Sequence, residues 1–149
     1  MQSLFDDADR AQVLARLAAM RADAPRGWGK MTAAQALAHC AYAVECATGD
    51  IPTRQVFMGK LIGRFFRKRL LGPEPFPRNS PTGTELVVRD ERDFAREQQR
   101  LAADIRKFAE LGPDSAARFP HGFVGRLTGE EWGRMMHKHL DHHLRQFGV

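Results

Sequence analysis

Helix start and stop signals recur along this chain, whereas the alternation of polar and apolar residues that indicates strands is scarce. Thr32 with Gln35, and Thr128 with Glu131, have the spacing of a capping box, in which each side chain accepts a hydrogen bond from the other residue's backbone N–H group. Gly49 suits the end of the helix that Thr32 begins, because glycine readily takes the left-handed conformation. These signals predict an all-α fold.

The same signals divide the chain into four main helices and one shorter, basic helix. The first three predicted helices cover residues 6–22, which Ser3 with Asp6 opens, residues 33–48, and the basic residues 56–71. The fourth starts at Asp90 with Asp93 and ends at Gly112 and Pro113. The last is the segment after Thr128. A long connection, residues 72–88, contains four prolines. Because proline interrupts regular secondary structure, we expect an irregular loop there.

Length and composition are those of a single globular domain spanning residues 1–149. The chain has 149 residues, of which 43% are hydrophobic and 28% are charged. Its N-terminal segment is acidic and lacks the apolar core of a signal peptide, and no apolar run approaches the roughly 18 residues of a transmembrane helix. Cys40 and Cys46, placed on one helix, lie about 9 Å apart along its axis, too far for a disulfide. We therefore expect a cytoplasmic protein with no membrane span.

The last helix carries four of the six histidines, at positions 137, 139, 142 and 143. Because each helical residue advances by about 100°, His139 and His143 fall on one face, one turn apart. That face also carries large apolar side chains, at Trp132, Met135, Met136 and Leu140. The opposite face carries charged side chains, at Arg134, Lys138, Asp141 and Arg145. We therefore expect His139 and His143 to face the core, with His137 and His142 on its flanks.

His39, on the second helix, is the candidate third ligand of a metal ion. Its face carries the small residues Ala36 and Ala43, which leave a hollow beside the imidazole. Three imidazoles can hold one divalent ion, and the alternative is that all three are core histidines bonded to their neighbours. The pattern differs from the H-E-x-x-H helix of zinc proteases, because no glutamate follows the first histidine of a correctly spaced pair.

A histidine one turn into the second helix, followed by H-x-x-x-H near the end of the last, resembles the DinB/YfiT-like superfamily. The segments GWGKMTAAQALAHCAYAVE, HGFVGRLTGEEWG and KHLDHHLRQFG resemble a branch recorded as a domain of unknown function. That branch has proline and phenylalanine where this chain has Gly122 and Val124. The resemblance implies a DinB-like four-helix bundle with one divalent ion on His39, His139 and His143.

Three neutral imidazoles leave further metal positions for water or substrate, which is typical of a catalytic centre. Zinc and nickel both suit imidazole ligands. Relatives in the superfamily look like thiol-dependent transferases and isomerases. The resemblance therefore implies a metal-dependent transferase or hydrolase that acts on a small molecule with a low-molecular-weight thiol as cosubstrate, and it also implies a homodimer.

Several other residues are candidates to line the pocket around the metal, although none is identified as catalytic. They are Gln35, Tyr42, Cys46, His121, Trp132, His142 and Gln146. The amides of Gln35 and Gln146 can orient ligand imidazoles. The hydroxyl of Tyr42 can donate to a substrate oxygen, or it can simply lie in water. Cys46 fits a core position as well as a pocket.

A competing function, a non-enzymatic binding protein, rests on residues 54–69, which contain no acidic side chain. On a helix, one side of this segment is basic, with Lys60, Arg64, Arg67 and Lys68. The other side is apolar, with Met58, Leu61, Ile62 and Phe65. We expect the apolar side to pack on the bundle and the basic side to be solvated. The alternative is a surface for nucleic acid or a protein partner, of which nucleic acid is the less favoured.

Overall fold

The structure, a computed structural model, describes residues 1–80, 82–83 and 86–149, and the side chain of Arg64 lies outside this description. The helices are α1, Asp7–Ala19; α2, Ala33–Thr48; α3, Phe57–Leu71; α4, Phe94–Ala116; and α5, Gly129–Gln146. The described ranges contain no β-strand, so the prediction of an all-α fold is confirmed. None of the helices in these ranges has the length and apolar character needed to cross a bilayer.

The capping boxes form as predicted at the starts of α2 and α5. Thr32 and Gln35 each accept the other's backbone N–H, and Thr128 and Glu131 do the same. Gly49 ends α2 with a φ of 81°, in the left-handed region.

The bounds of α1 differ from the prediction at both ends. Its N-cap is the carboxylate of Asp6, which accepts from the N–H groups of Ala8 and Asp9, so Ser3 lies outside the cap. The helix ends at Ala19, and the next residue, Met20, is extended. Met20 is nevertheless buried. The helical spacing of apolar residues therefore continues to Met20, one residue past the end of the helix.

The long run of α4 is interrupted where the sequence predicted its end. Gly112 has φ 76° and ψ 171°, which breaks the helical path, and Pro113 opens one further turn that reaches Ala116. Proline is well suited to this first-turn position because it has no N–H to leave unpaired. The kink turns the chain toward the start of α5, and the carbonyl oxygen of Pro113 lies against Gly129.

Four helices share one core, in which α1 and α2 each pack against both α4 and α5. α2 is buried along nearly its whole length. Alanine is its commonest residue, and these small side chains let the neighbouring helices approach closely and cover it. Apolar side chains from all four helices meet there, among them Val13, Leu17, Val44, Ile105, Phe108 and Leu140.

α3 differs from the other helices, because its helix neighbour is α5 and its apolar side is exposed. The expectation that this side packs on the bundle is therefore wrong. Glycines occupy the side of α3 that faces the protein, and they allow a closer approach than large side chains would.

The long connection after α3 returns the chain to α2. The carbonyl oxygen of Leu86 reaches His39, Val88 is buried, and the carbonyl oxygen of Asp90 accepts from the side-chain amide of Gln35. The irregular segment therefore places backbone oxygen atoms along one side of α2, beside the candidate metal ligand.

Candidate metal centre

His39 of α2 meets His139 and His143 of α5 at one point of the interface between the two helices. One ligand nitrogen from each residue lies within 4.8 Å of the other two. The ring centroids are 4.9, 4.8 and 4.9 Å apart for the three pairs, and the rings are steeply inclined to one another. This triangle of imidazoles is the arrangement that the spacing of residues 139 and 143 and the position of residue 39 predicted.

The tautomer of His39 follows from its backbone partner. Nδ1 of His39 lies 2.9 Å from the carbonyl oxygen of Leu86, which can only accept a hydrogen bond. Nδ1 therefore carries the proton and donates it to Leu86. In the neutral ring, the lone pair is then on Nε2, the nitrogen that points toward the other two histidines.

His143 is held in the same tautomer by an amide relay. The side-chain nitrogen of Gln146 donates to the carbonyl oxygen of Trp28 at 2.8 Å, which sets the orientation of the amide. The side-chain oxygen of Gln146 therefore faces Nδ1 of His143, 2.8 Å away, and accepts its proton. Nε2 of His143 is left with its lone pair, as a metal ligand requires.

His139 completes the triangle, with its Nε2 2.9 Å from Nε2 of His39. Because Nε2 of His39 carries a lone pair, His139 either donates a proton to it or shares a cation with it. Two imidazole nitrogens on one tetrahedral zinc ion lie roughly 3.3 Å apart, given a Zn–N bond of about 2.0–2.1 Å. The separation of this pair needs only a small outward shift, and the ligand nitrogen of His143 lies within 4.8 Å of both, so rotations of the three rings would let the donor set fit a divalent ion.

All three rings are neutral near pH 7. Burial lowers the pKa of His39, and a hydrogen bond to Leu86 only partly opposes this. Burial, followed by repulsion from His39, lowers the pKa of His143 to about 3. Burial, followed by repulsion from His143 and His39, holds the pKa of His139 well below its ordinary value. Desolvated, unprotonated imidazoles are good ligands because no proton competes with the metal.

His39 is the least exposed of the three histidines, with 3% of its surface exposed, whereas His139 and His143 keep partial exposure. The cluster therefore lies close to the surface of the domain. Such a site can exchange its ion and admit a small molecule, unlike a closed structural centre with four protein ligands.

Gln146 and His142 are the predicted pocket residues that adjoin the cluster directly. The ring of His142 lies 5.1 Å from that of His143, and Nε1 of Trp28 is 3.4 Å from Nε2 of His142. A cavity of about 290 Å³ opens beside them. Its lining residues are Trp28, Pro75, Phe76, Arg78, Lys138, Asp141, His142 and Arg145.

His121 and Trp132 lie side by side, with ring centroids 5.7 Å apart. Nδ1 of His121 accepts from the backbone N–H groups of Phe123 and Val124, so this histidine shapes the turn before α5. Trp132 is buried in the core, and its Nε1 donates to the carbonyl oxygen of Phe119. His121 contributes to the lowered pKa of His139, which places it in the electrostatic environment of the cluster.

The remaining predicted pocket residues have other local partners. Gln35 uses both ends of its amide, at the cap of α2 and on the carbonyl oxygen of Asp90. The hydroxyl of Tyr42 accepts from Arg92 at 2.9 Å, and the guanidinium of Arg100 lies 4.6 Å from the centre of its ring. Cys46 is buried in α2. The partners of Gln35 and Tyr42 thus lie at the cap of α2, in the segment that precedes α4 and, for Arg100, on α4 itself.

Sequence reasoning missed several groups that shape the site, among them the carbonyl oxygen of Leu86 and the aromatic rings of Trp28 and Phe76. Every residue except proline presents the same backbone groups, so nothing in the sequence marks Leu86. Trp28 lies in the segment GWGKMT, just before α2. A tryptophan between two glycines could have been proposed from the sequence as part of a binding surface.

The predicted basic surface on α3 is only partly solvated. Lys60 and Lys68 are exposed, whereas Arg67 lies against α5 with both carboxylate oxygens of Glu131 within 2.7 Å of its guanidinium. Arg67 also donates to the carbonyl oxygen of Arg126. The side chain of Arg64 falls outside the described residues.

Comparison with known protein families gives one match. A family model with the description "Protein of unknown function (DUF1569)" matches residues 2–148. No curated protein and no solved structure matches the chain. The match covers almost the entire domain, including all three histidines of the cluster, and the family's description contains neither a reaction nor a link to the DinB/YfiT-like superfamily.

Proposed function

We propose that this chain, which belongs to the family of unknown function DUF1569 across residues 2–148, is a metal-dependent enzyme with a mononuclear three-histidine centre. We further propose that its architecture is that of a DinB-like four-helix bundle. The mutual packing of α1, α2, α4 and α5 supports this architecture, and so does the position of the histidines at the interface between α2 and α5.

The observation that carries the proposal is the agreement of the tautomers. Nδ1 of His39 and Nδ1 of His143 are each engaged by an oxygen acceptor on the far side of the ring. Both Nε2 lone pairs are therefore directed into the triangle. A proton on Nε2 of His139 can satisfy one of these lone pairs, that of His39, whereas a cation in the triangle satisfies both.

Zinc or nickel bound here would act as a Lewis acid and would lower the pKa of a coordinated water or thiol. The protein's own contribution is to hold the ligands. Leu86 and Gln146 fix two imidazoles, and the buried surroundings keep them unprotonated. Three protein ligands leave room for a substrate or a thiol, so we propose a transferase or hydrolase with a small-molecule substrate.

The cavity beside His142 is the proposed place for that small molecule. Its volume of about 290 Å³ suits a compact ligand, and its wall joins the aromatic rings of Trp28 and Phe76 to the charged ends of Arg78 and Arg145. Because the ring of His142 lines the cavity and also contacts that of His143, a ligand in the cavity would be separated from the cluster by this one side chain.

The first test is metal content. Purified, untagged protein and the His39→Ala variant are incubated with zinc or nickel, dialysed and analysed for metal. We expect the unmodified chain to retain one ion and the variant to lose it, because two imidazoles bind far more weakly than three. Failure of the unmodified chain to retain either metal would overturn the proposal.

The second test addresses the thiol. Cobalt(II) replaces zinc in tetrahedral sites and reports its ligands through its absorption spectrum. Addition of a low-molecular-weight thiol to the cobalt-loaded protein should produce a sulfur-to-cobalt charge-transfer band if the thiol binds the ion. An unchanged spectrum would favour a hydrolase over a thiol-dependent transferase.

A further inference from the structure

We propose that α3 docks this protein onto an anionic lipid surface, a role that is independent of the metal centre. The exposed large apolar side chains of the described residues cluster at positions 56–66. Phe57 is 79% exposed, Leu61 64% and Phe65 65%, and Met58 lies beside them. Single exposed apolar residues are ordinary, but a contiguous group on one helix marks an interaction surface.

α3 is attached to the rest of the domain by its glycine side. A Cβ atom added to Gly63 would lie 2.7 Å from the carbonyl oxygen of Phe123, and one added to Gly59 would overlap the same atom. The helix backbone therefore rests directly on the turn that precedes α5. No side chain larger than hydrogen fits on this side at these two positions.

Polar contacts hold the C-terminal half of the helix in the same orientation. Arg67 pairs with Glu131 of α5, and Nζ of Lys138 donates to the carbonyl oxygens of Arg69, Leu70 and Gly72 at the end of α3. A lysine at this position satisfies carbonyl groups that a helix end otherwise leaves unpaired. The orientation of α3 is thus set from both ends.

This attachment directs the apolar residues outward. At about 100° per residue, Phe57, Leu61 and Phe65 lie on an arc directly opposite that of Gly59 and Gly63. An ordinary amphipathic helix buries its apolar side and exposes its polar side. Here the buried arc is glycine, so the apolar arc faces away from the domain.

The charge around this surface has one sign. Residues 51–73 contain no aspartate or glutamate but include Arg54, Lys60, Arg64, Arg67, Lys68 and Arg69. Lys60 is exposed on one flank of the apolar arc, and Arg69 is exposed beyond its other edge. Lys68 is exposed within the angular range of the arc, at its C-terminal end. An apolar strip bordered by long cationic side chains is the pattern of a helix that lies in the bilayer interface, with its cations among the headgroups.

An anionic lipid surface fits this face better than the other occupants. A second copy of the chain, packed α3 against α3, would bring two acid-free cationic segments together and would be opposed by their repulsion. Nucleic acid would pair with the cations but would leave Phe57 and Leu61 in water. Anionic headgroups with acyl chains beneath them satisfy both the charge and the apolar side chains.

The test uses the full chain and sedimentation with vesicles made of equal parts phosphatidylglycerol and phosphatidylcholine, or of phosphatidylcholine alone. We expect binding to the anionic vesicles and little to the neutral ones. Leu61→Ser should weaken it by roughly tenfold, because it removes an inserted apolar side chain. Lys68→Gln should weaken it by about fivefold, the loss expected for one cation near an anionic surface.

Leu111→Ser is the matched control, because Leu111 is an exposed leucine, 41% accessible, on α4. It should bind the vesicles as the unmodified chain does. Circular dichroism of each variant checks that the fold is retained. Because metal content is measured on the same samples, a failure of vesicle binding is distinguished from a failure of the metal centre.

Three outcomes would overturn the proposal. Absence of sedimentation with anionic vesicles would do so directly. Equal binding by Leu61→Ser and the unmodified chain would show that the apolar arc is not inserted. A dimer in equilibrium centrifugation that Leu61→Ser converts to a monomer, without vesicle binding by either, would assign the face to a second copy.

Discussion

The side-chain oxygen of Gln146 accepts a hydrogen bond from Nδ1 of His143 at 2.8 Å, while the nitrogen of the same amide donates to the carbonyl oxygen of Trp28. The amide thereby links the loop before α2 to a candidate metal ligand on α5. Its buried position, with 3% of its surface exposed, keeps water from replacing either bond.

Gln146→Leu is expected to weaken zinc binding by about 10- to 100-fold, the usual cost of losing a group that orients a metal ligand. The substitution keeps the volume but removes the acceptor that holds the proton on Nδ1 of His143. Competition with a chromophoric chelator measures the affinity. Gln35→Leu, which removes an amide at the cap of α2, should leave the affinity unchanged. Equal affinities for all three proteins would contradict this role of Gln146.

The two histidines at positions 137 and 139 should respond differently to substitution. His137 is buried on another side of α5, where Asp9, Arg16 and Asp141 influence its pKa, and it is not part of the triangle. His139→Ala should therefore abolish tight metal binding, whereas His137→Ala should keep it. Elemental analysis after dialysis against a weak chelator measures the metal content of both variants. Equal losses of metal would show that the triangle is not the metal site.

Asp104 is expected to make stability depend on pH. Burial, followed by repulsion from Glu45, raises its pKa from the ordinary 3.8 to about 6, and its Oδ2 is buried without a hydrogen-bond partner among the described residues. A carboxyl with a raised pKa binds its proton more tightly in the folded state. The folded state is therefore favoured as the pH falls through about 6 and disfavoured as it rises through that value.

Asp104→Asn should consequently stabilise the protein by about 1–2 kcal/mol near pH 8 and have little effect near pH 4. Urea unfolding at the two pH values measures the free energies. Asp114→Asn serves as the control, because Asp114 is an exposed aspartate on the same helix. A stabilisation by Asp104→Asn that is equal at both pH values would exclude the titration of Asp104 as its cause.

Gly133 allows the N-terminal segment to pack on α5. A Cβ atom at this position would lie 2.4 Å from Oγ of Ser3 and 2.5 Å from Cδ2 of Phe5. The ring of Phe5 stacks on that of Phe108, with centroids 4.7 Å apart, so it cannot move without disturbing the core. Gly133→Ala should destabilise the fold by about 1–3 kcal/mol, although alanine favours the helix itself. Urea unfolding measures the change. In a Phe5→Ala background the cost should fall, and an unchanged cost would mean that the clash lies elsewhere.

The histidine triangle was predictable because both of its elements have strong periodic signals. The capping boxes set the starts of α2 and α5, and the helical repeat then determines which side chains share a face. Those faces predicted that His39, His139 and His143 point inward, whereas their meeting at one point required the packing of α2 against α5. Of the groups that bond these histidines, Gln146 was among the predicted residues. The carbonyl oxygen of Leu86 was not, because it is a backbone group of an irregular segment.

The orientation of α3 shows the limit of periodicity. The sequence indicates which residues of α3 share a side but not which side faces the protein. Apolar residues were expected to face inward because burial of apolar area is the dominant stabilising term. In the structure, the close approach of Gly59 and Gly63 to Phe123, and the pairing of Arg67 with Glu131, decide the orientation instead.

By itself, the sequence determined the helical class, the starts of α2 and α5 and the shared face of His139 and His143, since these depend on local hydrogen bonds and on the geometry of a single helix. The tertiary structure alone decided that His39 meets this pair, that both ring protons point away from the triangle, and that α3 turns its apolar side outward. Such features depend on contacts between segments far apart in the chain, which no local pattern encodes.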